Sequence, residues 1–334
     1  MDSSRLTRAL EEGAPRIDRL SRVAVIEPHR GDDLSVLPRE GLEIIQGFRP
    51  DHDAFEAAGY TVRLAPQGRY QAAIVSLPRV RELARDRIAL AAEITGGGPV
   101  LVDGQKTDGI DGLLREVRRR VELGGVVARA HGKMFWFEGG DFSDWRMADE
   151  PREIEGGWIT RPGVFSADAP DRGSRLLTEA LPPKLGKKVA DLGAGWGYLA
   201  RSILERADVG RLDLVEADHA ALDCARRNIS DARAVFHWAD VTEWGEAASF
   251  DCVVTNPPFH AGRRADPALG RAFIAAAARL LKPSGRLYLV ANRHLPYERD
   301  LRAAFAAVRE IGGDGGFKVI EAVRPLASRN RGRR

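Results

Sequence analysis

Asn256 ends a short apolar run, FDCVVT over residues 250–255, and is followed by Pro257, Pro258 and Phe259. Phe250, Cys252, Val253 and Val254 suit a buried parallel strand. The two prolines cannot donate to a ladder and confine the residue before them to extended backbone. The strand must therefore stop here and hold Asn256 at its carboxyl end, the edge at which open α/β sheets bind ligands. An amide, two carbonyls and an aromatic ring on so rigid a loop make a candidate active site. Taken alone the same four residues also make a plain strand-to-helix turn, and what precedes them decides between the two readings.

Three further groups stand upstream with matching placement. The run KKVADLGAGWGYLARSIL reads as a strand over 189–192, a turn through Gly193, Ala194, Gly195 and Gly197, and a helix over 198–205. Such a turn lets backbone approach a ligand closely and presents free amide donors at a helix start. A dinucleotide fingerprint would need its third glycine at position 198, which is Tyr198, so that reading fails. Asp191 precedes the turn as an acid that can face a cation. Glu216 ends the next apolar run, RLDLVE over 211–216, where a carboxylate can accept ribose hydroxyls or merely begin the helix at 219–228. Asp240 closes a third run, FHWADV over 236–241. Trp196 is bulky enough to narrow the turn, and Trp238 reads as core.

These groups need one sheet to bring them together. Strands at 189–192, 211–216, 236–241 and 250–254, each ending in a polar group, supply it. Helices at 173–181 and 271–281, a strand at 285–291 and a closing strand at 317–322 complete the pattern. The first half alternates similarly, with strands at 23–27, 71–77, 99–103, 126–130 and 133–137 and helices at 55–58, 80–94 and 112–121. No strand there opens into a glycine turn. GQKTDG at 104–109 follows a strand, but a lone glycine and Lys106 read as a turn with a solvated lysine rather than a phosphate loop.

A chain of 334 residues is long enough for two domains. Its 44% hydrophobic and 30% charged residues describe a globular protein rather than a disordered or membrane-embedded one. No apolar run reaches transmembrane length and MDSSRLTRALEEG lacks the apolar core of a secretory signal, so a cytoplasmic location is expected. Cys224 and Cys252 form neither a zinc pattern nor a disulfide framework and read as small buried hydrophobes. The net charge is only +3, yet Arg118, Arg119 and Arg120, and the final Arg329, Arg331, Arg333 and Arg334, are runs that permit a nucleic-acid partner.

Residues 162–319 resemble the small-subunit ribosomal RNA guanine-N2 methyltransferases and their relatives acting on large-subunit rRNA. The likeness is carried by PGVFS at 162–166, Asp171, Gly173 and Ser174, DLGAGWG at 191–197, NPPFH at 256–260, ANRHLPY at 291–297 and FKV at 317–319. It implies a Rossmann-like class I methyltransferase domain over 161–323, built on a mostly parallel seven-stranded sheet and using S-adenosylmethionine. A second α/β domain over 1–140, resembling a degenerate methyltransferase that scaffolds or binds RNA, would precede it, with a linker at 141–160 and a basic tail at 324–334. By the same resemblance Asp191, Gly193, Ala194, Gly195, Glu216, Asp240 and Asn256 bind cofactor, Asp240 through the adenine amine. Asn256, Pro257, Pro258 and Phe259 form the catalytic loop. The expected partner is ribosomal RNA or a ribosomal subunit, with no metal and no membrane, and the protein a monomer.

The chemistry fits that resemblance. The guanine N2 lone pair is delocalised into the ring, so a catalyst must align and polarise the amine, which acceptors at Asn256 and the Pro257 carbonyl can do. Phe259 would stack on a flipped base. His260 has a structural hydrogen bond as its favoured role, and Phe165 either covers the cofactor or packs. Adenine N6 and the glutamine side-chain amide are amines on planar conjugated systems too, and a non-catalytic assembly factor is the reading from a different class.

Overall fold

The computed structural model describes residues 1, 3–15, 17, 21–258, 260–261, 264–265 and 267–326. The contacts divide the chain into two units: Met1–Pro151 with Arg161–Gly163, and Arg152–Thr160 with Val164–Arg334. None of the described helices is long and apolar enough to cross a membrane.

The first unit carries β1 (Val23–Ile26), β2 (Leu42–Ile45), β3 (Thr61–Arg63), β4 (Ala72–Ser76), β5 (Val100–Gln105), β6 (Leu123–Arg129) and β7 (Gly132–Phe137) in the order β3-β2-β1-β4-β5-β7-β6. The first five run parallel, and β7 is antiparallel to both β5 and β6. Every residue of VAVI and AAIVS is buried, as expected of strands covered on both faces. Helices α1 (Ser3–Glu11), α2 (Arg49–Ala57), α3 (Arg81–Thr95) and α4 (Ile110–Val117) accompany the sheet. Two of its strands lie outside the sequence pattern, because LEII has only four residues and TVR is a partly exposed edge. Lys106 begins a 3-10 turn over Lys106–Asp108 and is exposed, as a solvated turn lysine should be.

Where a linker is expected over 141–160, the chain is ordered. Ser143–Asp149 forms a 3-10 helix whose Trp145 packs at 5.2 Å from Phe142. The hairpin β8 (Arg152–Ile154) and β9 (Trp158–Thr160) belongs to the second unit. Its aromatic anchor, Trp158, is masked in the sequence by the Gly, Asp and Glu around it.

The second unit follows with α5 (Arg172–Ala180), β10 (Lys188–Leu192), α6 (Tyr198–Leu204), β11 (Arg211–Glu216), α7 (His219–Asn228), β12 (Ala234–Trp238) and β13 (Phe250–Thr255). A two-residue hairpin, β14 (His260–Ala261) and β15 (Arg264–Ala265), leads to α8 (Pro267–Leu280), β16 (Leu281–Asn292), α9 (Glu298–Ala304), β17 (Phe305–Gly313) and β18 (Phe317–Pro325). The sheet order is β12-β11-β10-β13-β16-β18-β17. Setting the small hairpin aside, that is strand for strand the order of the first unit, and its last strand is again antiparallel to both neighbours. The run at 317–322 is therefore not the closing edge. It lies one strand inside, covered by β17, whose mostly exposed FAAVREIGG gives no periodic signal.

Alternation within the central strands feeds two cores. Ala190, Leu192, Val253, Leu287 and Leu289 pack with Phe273, Ile274 and Ala277 of α8, whereas Val189, Cys252, Val254, Tyr288 and Val290 pack with Leu199, Ala200 and Ile203 of α6. Both cysteines are fully buried. The strand order reverses between β10 and β13, so the ligand crevice of such a sheet opens at the ends of these two strands. The basic run from Arg329 lies outside the described residues.

Candidate active site

Leu192 passes directly into the glycine turn. The amides of Gly193 and Ala194 both donate to the Val215 carbonyl, at 2.9 and 3.1 Å, which ties the turn to the end of β11. All three glycines have positive φ, at 73°, 54° and 93° for Gly193, Gly195 and Gly197. Their surroundings differ. A methyl group on Gly193 would sit 3.2 Å from the Phe273 ring and one on Gly197 3.2 Å from Ile229, but one on Gly195 would meet nothing within 4 Å. Close packing accounts for the outer two, and the middle one fronts open space. Ala194 has its side chain in the core and its amide spent on Val215, so it shapes the turn.

Trp196 does not narrow this turn. Its ring is buried against Trp158 at 5.1 Å and Tyr198 at 5.7 Å, and its indole Nε1 donates to the Phe165 carbonyl at 3.0 Å. The Trp196 carbonyl accepts from Asn228 Nδ2 at 2.8 Å, and the same amide holds Ile159. The residue is thus a clasp between the turn, the β8–β9 hairpin and the 164–167 segment. Phe165 keeps 57% of its surface exposed, so its ring does not pack into that cluster.

Asp191 is wholly buried beneath the turn, and neither carboxylate oxygen has a hydrogen-bond partner. Burial pushes its carboxyl up to about 8, with the charge of Glu216 adding to the effect. Glu216 is pushed up to about 7, again chiefly by burial, against the pull of backbone amides. Its Oε2 accepts from Gly195 N and its Oε1 from Asp218 N, both at 2.8 Å, so the carboxylate is held at the mouth of the turn. Asp240 lies two residues past the end of β12, not within the strand, and its Oδ1 accepts from the Thr242 amide and hydroxyl. Trp238 is only half-buried. It packs edge-on to His219 and donates from Nε1 to the Ala217 carbonyl at 2.8 Å, which places it beside Glu216 rather than in the core.

Across the switch point, Asn256 is oriented by the N-cap of α5 and a residue of its first turn. Its Nδ2 donates to Asp171 Oδ2 and Ser174 Oγ, each at 2.9 Å, while its Oδ1 is buried without a partner. Asp171 is the N-cap of α5 and accepts the Ser174 amide at 2.9 Å. A side chain on Gly173 would come within 3.0 Å of Asp171 Oδ2 and 3.1 Å of the Phe317 ring, so a larger residue would press on both. Arg172 pairs with Asp314 at 2.6 Å in the turn before β18. The sequence marks Asp171, Gly173 and Ser174 only as part of the family likeness; an N-cap acid before a helix carries no sign of what else it holds. Pro257 is buried and Pro258 exposed. Phe259 and the side chain of His260 lie outside the described residues.

The pieces together are chemically definite. The open space at Gly195, a buried unpartnered carboxylate, a fixed carboxylate and an unpartnered amide oxygen all lie at the carboxyl edge of the sheet. That donor set suits a nucleoside cofactor with a cationic end beside a planar amine. The fold, with its seventh strand inserted antiparallel, is that of a class I methyltransferase. Residues 155–321, half of the chain, match the Methyltransferase small domain, and the chain belongs to that family.

Relatives agree. The Ribosomal RNA small subunit methyltransferase C of Hahella chejuensis is 35% identical over 167 residues, 50% of this chain and 49% of that protein. The Ribosomal RNA large subunit methyltransferase G of Alcanivorax borkumensis is 35% identical over 172 residues, 50% of this chain and 44% of that protein. The chain spans about half the length of these two curated relatives. Among solved structures, the T. thermophilus 16S rRNA N2 G1207 methyltransferase RsmC, in complex with AdoMet and guanosine, has a TM-score of 0.79 and 27% identity, covering 95% of this chain and 91% of that one.

Proposed function

We propose that the protein is an S-adenosylmethionine-dependent methyltransferase acting on the exocyclic N2 amine of a guanine in ribosomal RNA, with 16S rRNA the first candidate. The observation that carries this reading is the buried, unpartnered Oδ1 of Asn256, an acceptor at the switch point of the sheet, across from the glycine turn. The small-subunit enzyme name of one relative, and the guanosine and AdoMet in the RsmC complex, supply the substrate and cofactor.

When bound, the cofactor supplies a methyl group on a sulfonium, an electrophile that needs no metal. Asp191 would meet its ammonium group, Glu216 the ribose hydroxyls and Asp240 Oδ2 the adenine amine, with Gly195 leaving room for the chain between them. Asn256 Oδ1 and the Pro257 carbonyl would accept the two N2 protons, which draws the nitrogen out of conjugation and turns its lone pair toward the methyl. The positive charge that the nitrogen would gain on methylation would be stabilised by these acceptors until one proton leaves to water. Pro257 and Pro258 keep the acceptors rigid, and Phe259 is assigned to stacking on the base. The first unit repeats the sheet order but has Glu27 where the second has Gly193. Glu27 keeps the positive φ of 53° and donates its amide to Ile45 at 2.9 Å, yet its carboxylate is spent on Arg87 at 2.6 Å. We assign that unit to scaffolding and RNA contact.

The large-subunit name of a relative of equal identity keeps a guanine of 23S rRNA as the second reading. The test is incubation of the purified protein with methyl-labelled cofactor and each ribosomal subunit or its naked rRNA, followed by digestion to nucleosides. Label in N2-methylguanosine from the small subunit is expected. Label in N6-methyladenosine or in protein overturns the proposal, and label from the large subunit alone selects the second reading.

A further inference from the structure

The two ends of an asparagine amide are nearly equal in shape and opposite in chemistry, one a double donor and the other an acceptor. A half-turn about the last side-chain bond exchanges them at little steric cost. In a site that must accept amine protons, the wrong half of that rotation points N–H against N–H. The structure places two groups that decide the matter. Asp171 Oδ2, an acceptor only, and Ser174 Oγ both stand 2.9 Å from Asn256 Nδ2. Turning the amide over would set Asn256 Oδ1 against the Asp171 carboxylate.

The lock is itself built in. Asp171 cannot swing away without uncapping α5, because the same Oδ2 accepts the Ser174 amide at 2.9 Å. The helix start is clamped by the Arg172–Asp314 pair and by the close approach of the Phe317 ring to Gly173. Asn256 and its two holders are 85 and 82 residues apart in sequence, so this orientation is a property of the folded unit and not of the Asn-Pro-Pro loop.

We infer that Asp171 and Ser174 are positioning residues that hold Asn256 with its oxygen toward the reacting group and so restrict the substrate to one presenting hydrogen-bond donors, an amine rather than a carbonyl or an unprotonated ring nitrogen. This inference rests on the proposed methyl transfer to an amine. Asp171 and Ser174 touch neither substrate nor cofactor in it; they act through Asn256.

The test exploits the polarity of the arrangement. Asp171→Ala removes the acceptor that faces the amide, and Ser174→Ala removes the other. Each is expected to lower kcat by ~10-fold or more while the cofactor Kd stays within about twofold, since an acceptor aimed at a reacting group is worth ~10²–10³ in rate when lost entirely. Asn256→Asp alone sets two carboxylates face to face and should lose ~100-fold or more. Combining it with Asp171→Asn removes the second carboxylate. Once the new amide turns its nitrogen from the Ser174 N–H toward position 256, it sets a donor opposite an acceptor, with the Ser174 hydroxyl turning to donate. The double variant should recover ~10-fold over Asn256→Asp, which a merely structural role for Asp171 would not produce. Wild-type kcat in Asp171→Ala, or no recovery in the double variant, overturns the inference.

A readout without turnover separates this from the proposed function. In ¹⁵N spectra the Asn256 side-chain amide, assigned by its disappearance in Asn256→Asp, should be protected from exchange and lose ~10-fold or more of that protection in Ser174→Ala as one of its two acceptors goes. If the protein modifies no rRNA guanine yet shows this protection and its loss, the function is wrong and the lock stands. An unprotected amide in an active enzyme sinks the lock alone.

Discussion

The Thr255 hydroxyl donates to the Leu192 carbonyl at 2.7 Å, and both residues are fully buried. This bond joins the last residue of β13 to the last residue of β10 at the point where the sheet reverses direction. On one side the next residue is Gly193 and on the other Asn256, so one hydroxyl fixes the spacing between the glycine turn and the Asn-Pro-Pro loop.

Thr255→Val removes that bond while keeping the shape of the side chain. It leaves a buried carbonyl with one partner fewer, at a cost of about 1–3 kcal/mol. The melting temperature should fall by several degrees, and calorimetry should show weaker cofactor binding because the two strand ends can separate. A variant with unchanged stability and unchanged affinity would mean that backbone pairing alone sets the crevice.

The buried Asp191 makes both binding and stability depend on pH, in opposite directions. Its carboxyl, at about 8 in the free protein, lies far above the unfolded value near 4. Between those values the folded state holds a proton that the unfolded state has released, so this group's contribution to stability falls as pH rises from about 4 to about 8. Asp191→Asn does not titrate. Its melting temperature relative to the wild type should therefore climb across that window, while its cofactor affinity drops by ~100-fold or more through loss of the charge opposite the ammonium. In the wild type the ammonium favours the ionised acid, so between pH 6 and 7 cofactor Kd should decrease with rising pH, at most about tenfold per unit. Thermal melts and titration calorimetry across pH check both signs.

Trp196 illustrates why part of this site could be read from the sequence and part could not. The glycine turn, the strand-end acids and Asn-Pro-Pro were legible because backbone chemistry forces them: positive φ needs glycine, and two prolines end a strand wherever they fall. A large ring inside that turn reads as an obstruction, since nothing local reveals that its partners, Trp158 and the Phe165 carbonyl, lie more than thirty positions upstream. The grip of Asp171 on Asn256 is hidden for the same reason. The duplicated sheet order is masked in the first unit by strands of three and four residues.

Replacing Trp196 tests its role as a clasp. Trp196→Phe loses the bond to the Phe165 carbonyl but fills most of the space, and should cost about 1 kcal/mol. Trp196→Ala empties a site that is 3% exposed and should cost about 3–5 kcal/mol. In both, limited proteolysis should cut faster between the β8–β9 hairpin and α5, because the ring and its indole N–H hold that segment to the turn. Equal cutting rates in wild type and Trp196→Ala would show that the segment is held by other contacts.

Gly195 and Gly197 share a positive φ and differ in what lies beyond them, which allows strain to be separated from ligand contact. Both would suffer the backbone cost of a left-handed alanine, on the order of 1 kcal/mol. Gly197→Ala adds a contact of 3.2 Å to Ile229 and of 3.5 Å to the Ala225 backbone inside the core, so its penalty should show mainly as a lower melting temperature. Gly195→Ala projects its methyl into open space and should melt within a few degrees of wild type. Its loss should appear in cofactor affinity, because the methyl would occupy the open room at the turn where Gly195 N meets Glu216. A Gly195→Ala protein that binds S-adenosylmethionine as tightly as wild type would mean that the cofactor does not pass over this turn, and the assignment of Asp191 to its ammonium group would go with it.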